Sequence, residues 1–177
     1  DAWLASYFQA VTARTAGFNT LDVGALTPPT LLLVSVLMFI GASPGGTGGG
    51  IKTTTFGVTV AALWFTVRGT AEPLVFRRRL SAELISRAFA VSLMALLAVG
   101  TGVWLLLLVE RRALLPTLFE TTSAFATVGL STGAPGGVTS LASDFSTIGK
   151  LLLTLLMYLG RVGPLTIAVA LAQGGSR

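Results

Sequence analysis

Apolar residues in this chain fall into long runs, separated by glycine-rich or basic stretches. From 31 to 39 every residue but Ser35 is apolar, and a second apolar stretch runs from 56 to 67. A third, 88–109, is 22 residues without a charge. At about 1.5 Å per residue it is long enough to cross about 30 Å of hydrocarbon. A fourth runs from 148 to 171 and contains Lys150, Gly160, Arg161, Gly163 and Pro164. Two more helix-capable stretches, the one before Thr15 and 114–126, are too short to cross. The pattern predicts an all-α membrane protein.

Composition strengthens that reading. Apolar residues are 53% of the chain and charged residues only 11%, where soluble domains carry about 25%. There is no Cys and no His, which removes disulfides, thiol and imidazole catalysis and the metal sites built on them. The carboxylates Asp1, Asp22, Glu72, Glu83, Glu110, Glu120 and Asp144 are scattered, so chemistry on a carboxylate pair has little support. The net charge of +5 does not point to nucleic acid, because the basic residues cluster between apolar runs. Five of them (Arg68, Arg77, Arg78, Arg79, Arg87) lie in 68–87, against Arg111 and Arg112 after the third run. The positive-inside rule makes the former cytoplasmic and the latter external. Asp1 opens the chain with no Met and no signal peptide, so it reads as a piece of a longer polypeptide.

An internal repeat appears on sliding the chain by 112 residues. Thr15-Ala16-Gly17-Phe18-Asn19-Thr20 falls on Thr127-Val128-Gly129-Leu130-Ser131-Thr132, and Tyr7 falls on Phe119. Each segment follows a short helix and precedes an apolar one. Parallel repeats about one axis need both segments on the same membrane face. That makes 28–67 a single crossing broken at its middle, with 41–50 at membrane depth, rather than two spans joined by an outside hairpin.

The paired segments suit an alkali ion. A dehydrated cation needs a cage of oxygens, which a loop with successive carbonyls turned to one axis supplies. Gly17 and Gly129 permit the dihedrals this requires. Thr15 and Thr127 can add hydroxyl oxygens, and the short helices aim negative C-termini at the path. The ordinary alternative is two re-entrant turns with no ligand role.

The motifs Ala13-Arg14-Thr15-Ala16-Gly17-Phe18-Asn19-Thr20, 39–55, 123–132 and 157–165 resemble, in order, segments of the Trk/Ktr/HKT superfamily of potassium transporters. The resemblance implies helix–pore loop–helix repeats related by pseudo-symmetry about a central pore, with one broken transmembrane helix. It implies that 1–87 is the third pore repeat, lacking its first helix, and 88–177 the fourth. The implied filter is Thr15, Ala16, Gly17, Phe18 and Asn19 with Thr127, Val128, Gly129, Leu130 and Ser131. The implied gate is Gly45, Gly46, Thr47, Gly48, Gly49, Gly50 and Lys52, with Arg161. K⁺ is the transported ion at the filter carbonyls, no covalent cofactor is implied, and the location is the plasma (inner) membrane, multi-pass. The implied partners are the N-terminal half of the same subunit, a second copy, a cytosolic nucleotide-binding regulatory ring and the lipid bilayer.

The glycine-rich stretch has a rival. Gly45 to Thr53 nearly fits a phosphate-binding loop, but Ile51 intrudes before Lys52 and no strand precedes it. Ser43, Thr47, Thr53, Thr54 and Thr55 can satisfy backbone groups at membrane depth. Lys150 and Arg161 are 11 residues apart and share a helix face. Lys150 can snorkel outward. Arg161, near mid-membrane, is either a structural clamp or a cationic barrier at the gate. Arg14 is expected to brace the first short helix through hydrogen bonds or an acidic partner, and Asp22 is either a solvated loop charge or a cation-concentrating group at the mouth.

The expected function is K⁺ uptake with no enzymatic chemistry. Two other functions remain open: a secondary transporter of Na⁺ or a small solute using the broken helix, weakened by the lack of a mid-membrane acid, and a non-conducting assembly subunit.

Overall fold

The computed structural model describes residues 2–69, 74–75, 78–133 and 139–163. Among them are six α-helices: α1 Ala2–Thr12, α2 Pro28–Phe39, α3 Thr53–Val67, α4 Ala82–Glu110, α5 Leu114–Phe125 and α6 Thr147–Val162. The chain is helical, as the apolar runs predict. The addition is a minimal antiparallel pair, β1 Leu74–Val75 with β2 Arg78–Arg79, inside the basic stretch. Glu72, Arg77, 134–137 and the predicted helical stretch 164–171 lie outside the described residues.

Helix α4 starts six residues before the uncharged run. Ser81 caps it by accepting from the Leu84 N–H at 3.3 Å, and Glu83 sits in its first turn, where a helix N-terminus favours an acid. Its 29 residues span about 43 Å. Only 28% of its most apolar window is buried, so most of its apolar surface faces outward, unlike the core helix of a water-soluble fold. Helix α6 is capped by Ser146 and stops at Gly163, whose φ of 89° ends the helical path.

The same order of elements occurs twice. Helix α1 leads through a loop to a 3-10 turn, Val23–Ala25, and then to α2; α5 leads through a loop to a 3-10 turn, Leu141–Asp144, and then to α6. Both 3-10 turns open on a side chain that accepts from the N–H two residues on. Asp22 takes Gly24 N at 2.9 Å and Ser140 takes Ala142 N at 3.3 Å.

Helix α5 is the hub, packing against α2, α4 and α6, while α3 packs on α4. Its threonines are buried without penalty because their hydroxyls donate to carbonyls one turn back, Thr121 to Thr117 at 2.6 Å and Thr122 to Leu118 at 2.7 Å. Helix α6 reaches α5 through Gly160, where a Cβ would overlap the Phe125 carbonyl oxygen. Phe125 stacks on Phe39 with centroids 6.3 Å apart, tying α5 to the end of α2. By contrast α1 buries only Gln9 and Thr12 and leaves Trp3, Leu4 and Tyr7 exposed.

One carboxylate stitches α4 to α6. Glu110 Oε1 accepts from Ser146 N at 3.0 Å and Ser146 Oγ at 2.6 Å, placing negative charge at the start of α6. Arg112 adds an ion pair to Asp144 at 3.6 Å. Glu110→Ala is expected to remove about 1 kcal/mol, as loss of a helix cap does, and to lower the melting temperature of the detergent-purified protein. An unchanged melting temperature would show the stitch to be idle.

Candidate functional site

The two repeated segments share an unusual backbone. Thr15 (φ 68°) and Thr127 (φ 53°) are two of three non-glycine residues with positive φ among the described residues, and Gly17 (φ 76°) and Gly129 (φ 91°) follow at matching places. A left-handed conformation costs a β-branched residue about 1–2 kcal/mol. Its duplication at equivalent threonines marks strain held in place by the surroundings. Each loop leaves its helix through a hydrogen bond spanning five residues, Gly17 N to Thr12 O at 3.2 Å and Val128 N to Ser123 O at 2.9 Å.

The segments lie side by side. A Cβ on Gly17 would overlap the Val128 carbonyl oxygen, and one on Gly24 would come 2.5 Å from Thr132 O. Val128 and Leu130 are buried with Ala13, Val23, Met38 and Phe119 in the cluster behind the loops. Ala16, Phe18, Asn19 and Gly129 are exposed, while Thr15, Gly17, Thr127 and Ser131 are half-buried. Thr12 Oγ1 donates to the Phe18 carbonyl. A cavity of about 420 Å³ opens beside them, bordered by Asn19, Asp22, Ser131 and Thr132.

The glycine-rich stretch comes up against both segments. Ile40 and Ile51 form a parallel bridge, with Gly41 N donating to Ile51 O at 2.9 Å and Ile51 N to Phe39 O at 3.1 Å. The chain therefore re-enters α3 running the way it left α2, with 41–50 looped out between. Gly49 N donates to Thr127 Oγ1 at 3.1 Å, and a Cβ on Gly48 would lie 2.5 Å from Thr15 Oγ1. Lys52 folds back over the loop and donates to Gly48 O at 2.7 Å and Gly46 O at 3.1 Å.

The expected site residues divide accordingly. Thr15, Gly17, Thr127, Val128, Gly48, Gly49 and Lys52 are brought together, whereas Gly45, Gly46 and Thr47 form the exposed far side of the loop and Gly50 packs beneath Ala126. Arg161 is exposed in the last turn of α6 and makes no hydrogen bond or ion pair among the described residues. Lys150 and Arg14 are exposed too, and no acid meets Arg14 among the described residues. Asp22 caps its 3-10 turn. The loop's carbonyls are held by Lys52 more than by the hydroxyls of Ser43 and Thr47, because the longer cationic side chain reaches two carbonyls at once. Sequence reasoning passed over Thr12 and Glu120; the signal for Glu120 was an acid inside a short apolar helix.

The comparison with known proteins now bears on this arrangement. A family model described as cation transport protein, TrkH, matches residues 1–175. The chain belongs to the TrkH cation transport protein family. It is 42% identical to the Ktr system potassium uptake protein B of Bacillus subtilis over 173 residues, which are 98% of this chain and 37% of that protein. The Ktr system potassium uptake protein B of Vibrio alginolyticus is 40% identical over 97% of this chain and 36% of its own length. The potassium/sodium uptake protein NtpJ of Enterococcus hirae is 32% identical over 97% of the chain and 38% of its length. The chain thus spans well under half the length of the curated relatives it matches. Those relatives are named as uptake proteins, not enzymes. Membership places the chain in a family of membrane cation transport proteins, and α4 has the length and composition to cross a bilayer.

Proposed function

We propose that this chain supplies part of the pore of a K⁺ uptake protein, conducting through rings of backbone oxygens at 15–19 and 127–131 and gated by 41–52 with Arg161. The observation that carries the reading is the contact of two like segments in one rare backbone conformation, Gly17 against Val128, with the glycine-rich loop bonded to Thr127 beside them. A loop of fixed main-chain dipoles can replace an ion's hydration shell, and a flexible loop against it can block the path. The names of the relatives support K⁺ as the ion.

The parallel bridge between Ile40 and Ile51 supports one crossing broken at its middle, since a hairpin of two spans would bring antiparallel chains together. The twofold order of elements supports two pore repeats related by pseudo-symmetry about the path, with α4 opening the second. Gly129 shares the conformation of Gly17, yet among the described residues no atom beyond its chain neighbours lies within 4 Å of where its Cβ would stand. This supports a further segment of a longer subunit on that side, completing the ring in a multi-pass protein of the plasma (inner) membrane. Arg161, one residue from the close contact at Gly160, sits on the helix that braces the end of α5 and acts as the cationic barrier below. A second copy of the subunit and a cytosolic nucleotide-binding ring are the proposed assembly partners.

The test is rubidium or potassium flux in liposomes bearing the complete subunit that contains this chain. Gly129→Asp is expected to abolish it, because a charged side chain replaces a φ of 91° in the ion's path. Undiminished flux in folded protein would overturn the filter assignment.

A further inference from the structure

The two filter segments are alike in backbone but are held from behind by different devices. In the first, Thr12 on α1 donates directly to the Phe18 carbonyl. Its counterpart 112 residues on is Ala124, which has no hydroxyl. In the second, the work falls to Glu120 on α5, whose counterpart is the apolar Phe8. Glu120 is 6% exposed and Oε1 accepts from Ser140 Oγ at 2.8 Å. Ser140 Oγ also accepts from Ala142 N at 3.3 Å. Ser131 Oγ in turn accepts from Gly133 N at 3.2 Å and Leu141 N at 2.9 Å. One carboxylate on the most buried helix therefore fixes Ser140, beside the Leu141 N–H that ties back to Ser131 just beyond Gly129.

A buried carboxylate is expensive, and an apolar residue of similar volume is often the more stable choice. Glu120 Oε2 finds no partner among the described residues, and the residue borders a cavity of about 410 Å³ that Val128, Gly129 and Leu130 also line. The group is thus retained at a cost, next to the segment whose oxygens must hold a fixed spacing. We propose that Glu120 is a positioning residue for ion selection. It holds the second filter segment from behind through Ser140, whose neighbour Leu141 donates to Ser131, and so sets how well 127–131 separates K⁺ from Na⁺. The inference rests on the filter reading above and deepens it, since the first segment needs no such acid.

The experiment measures K⁺ and Na⁺ flux side by side in liposomes carrying the complete subunit. Glu120→Ala is expected to lower the K⁺/Na⁺ flux ratio about tenfold, the scale of a lost buried hydrogen bond. Glu120→Gln, which keeps an acceptor toward Ser140, should recover most of the ratio. Ser140→Ala, a change at an exposed position that leaves the core intact, should lower the ratio to a smaller degree, and should lower it no further once Glu120 is Ala. An unchanged ratio in Glu120→Ala or Ser140→Ala, whatever the protein yield, would overturn the brace, as would additive effects of the two. A wild-type protein without K⁺ preference would instead overturn the filter reading, so the two failures are distinguishable.

Discussion

Gly17→Ala is expected to cut K⁺ flux about a hundredfold, the scale of moving a functional atom by about 1 Å. Two effects act together. The backbone at residue 17 has φ 76°, a conformation alanine adopts at a cost of about 1 kcal/mol. The larger effect is steric. A methyl group there would overlap the Val128 carbonyl oxygen, which belongs to the neighbouring segment and is itself a proposed ion ligand. The new methyl cannot move aside, because it is fixed to the main chain, so the carbonyl must. Rubidium uptake into liposomes reads the loss. Wild-type flux from correctly folded Gly17→Ala protein would mean that the contact between segments does not shape the ion path.

Lys52→Met should act in the opposite direction and raise flux about tenfold while leaving ion preference alone, the scale expected for loss of a charge-assisted hydrogen bond. Methionine keeps the length of the side chain and loses the ammonium. In the structure that ammonium ties Gly48 O at 2.7 Å and Gly46 O at 3.1 Å, folding the loop back on itself beside Thr15 and Thr127. It also places a positive charge beside the proposed path for cations. Without it the loop keeps its bond from Gly49 N to Thr127 Oγ1 but loses the clamp on its outer half. The loop then spends more time away from the proposed filter segments. Flux equal to or below the wild type, in protein of normal yield, would show that Lys52 supports the pore instead of closing it.

Much of this was legible before any coordinates. The short helices before Thr15 and Thr127, the long apolar span and the non-helical glycine-rich stretch between α2 and α3 follow from run length and glycine content, which are local properties. The repeat was legible because the spacing of Thr and Gly is itself the signal. Other features were not. A β-branched threonine disfavours positive φ, so nothing in the residue types announces φ 68° at Thr15 or φ 53° at Thr127. Six residues of the basic stretch, 82–87, belong to α4, since Ser81 and Glu83 start a helix more effectively than the nearby charges delay it. Glu120 read as one more scattered carboxylate, because its partner is Ser140, 20 residues away.

The sequence by itself determined that this is a helical membrane protein with a duplicated Thr-x-Gly loop and a glycine-rich interruption, because apolar run length and small-residue spacing act within a few turns of chain. Only the tertiary structure decided that Gly17 abuts Val128, that Gly49 meets Thr127 across 78 residues, and that Lys52 clamps its own loop. Those pairings depend on how α2, α5 and α6 pack. They are settled by which backbone oxygens a missing Cβ leaves room to approach, a quantity that no local pattern encodes.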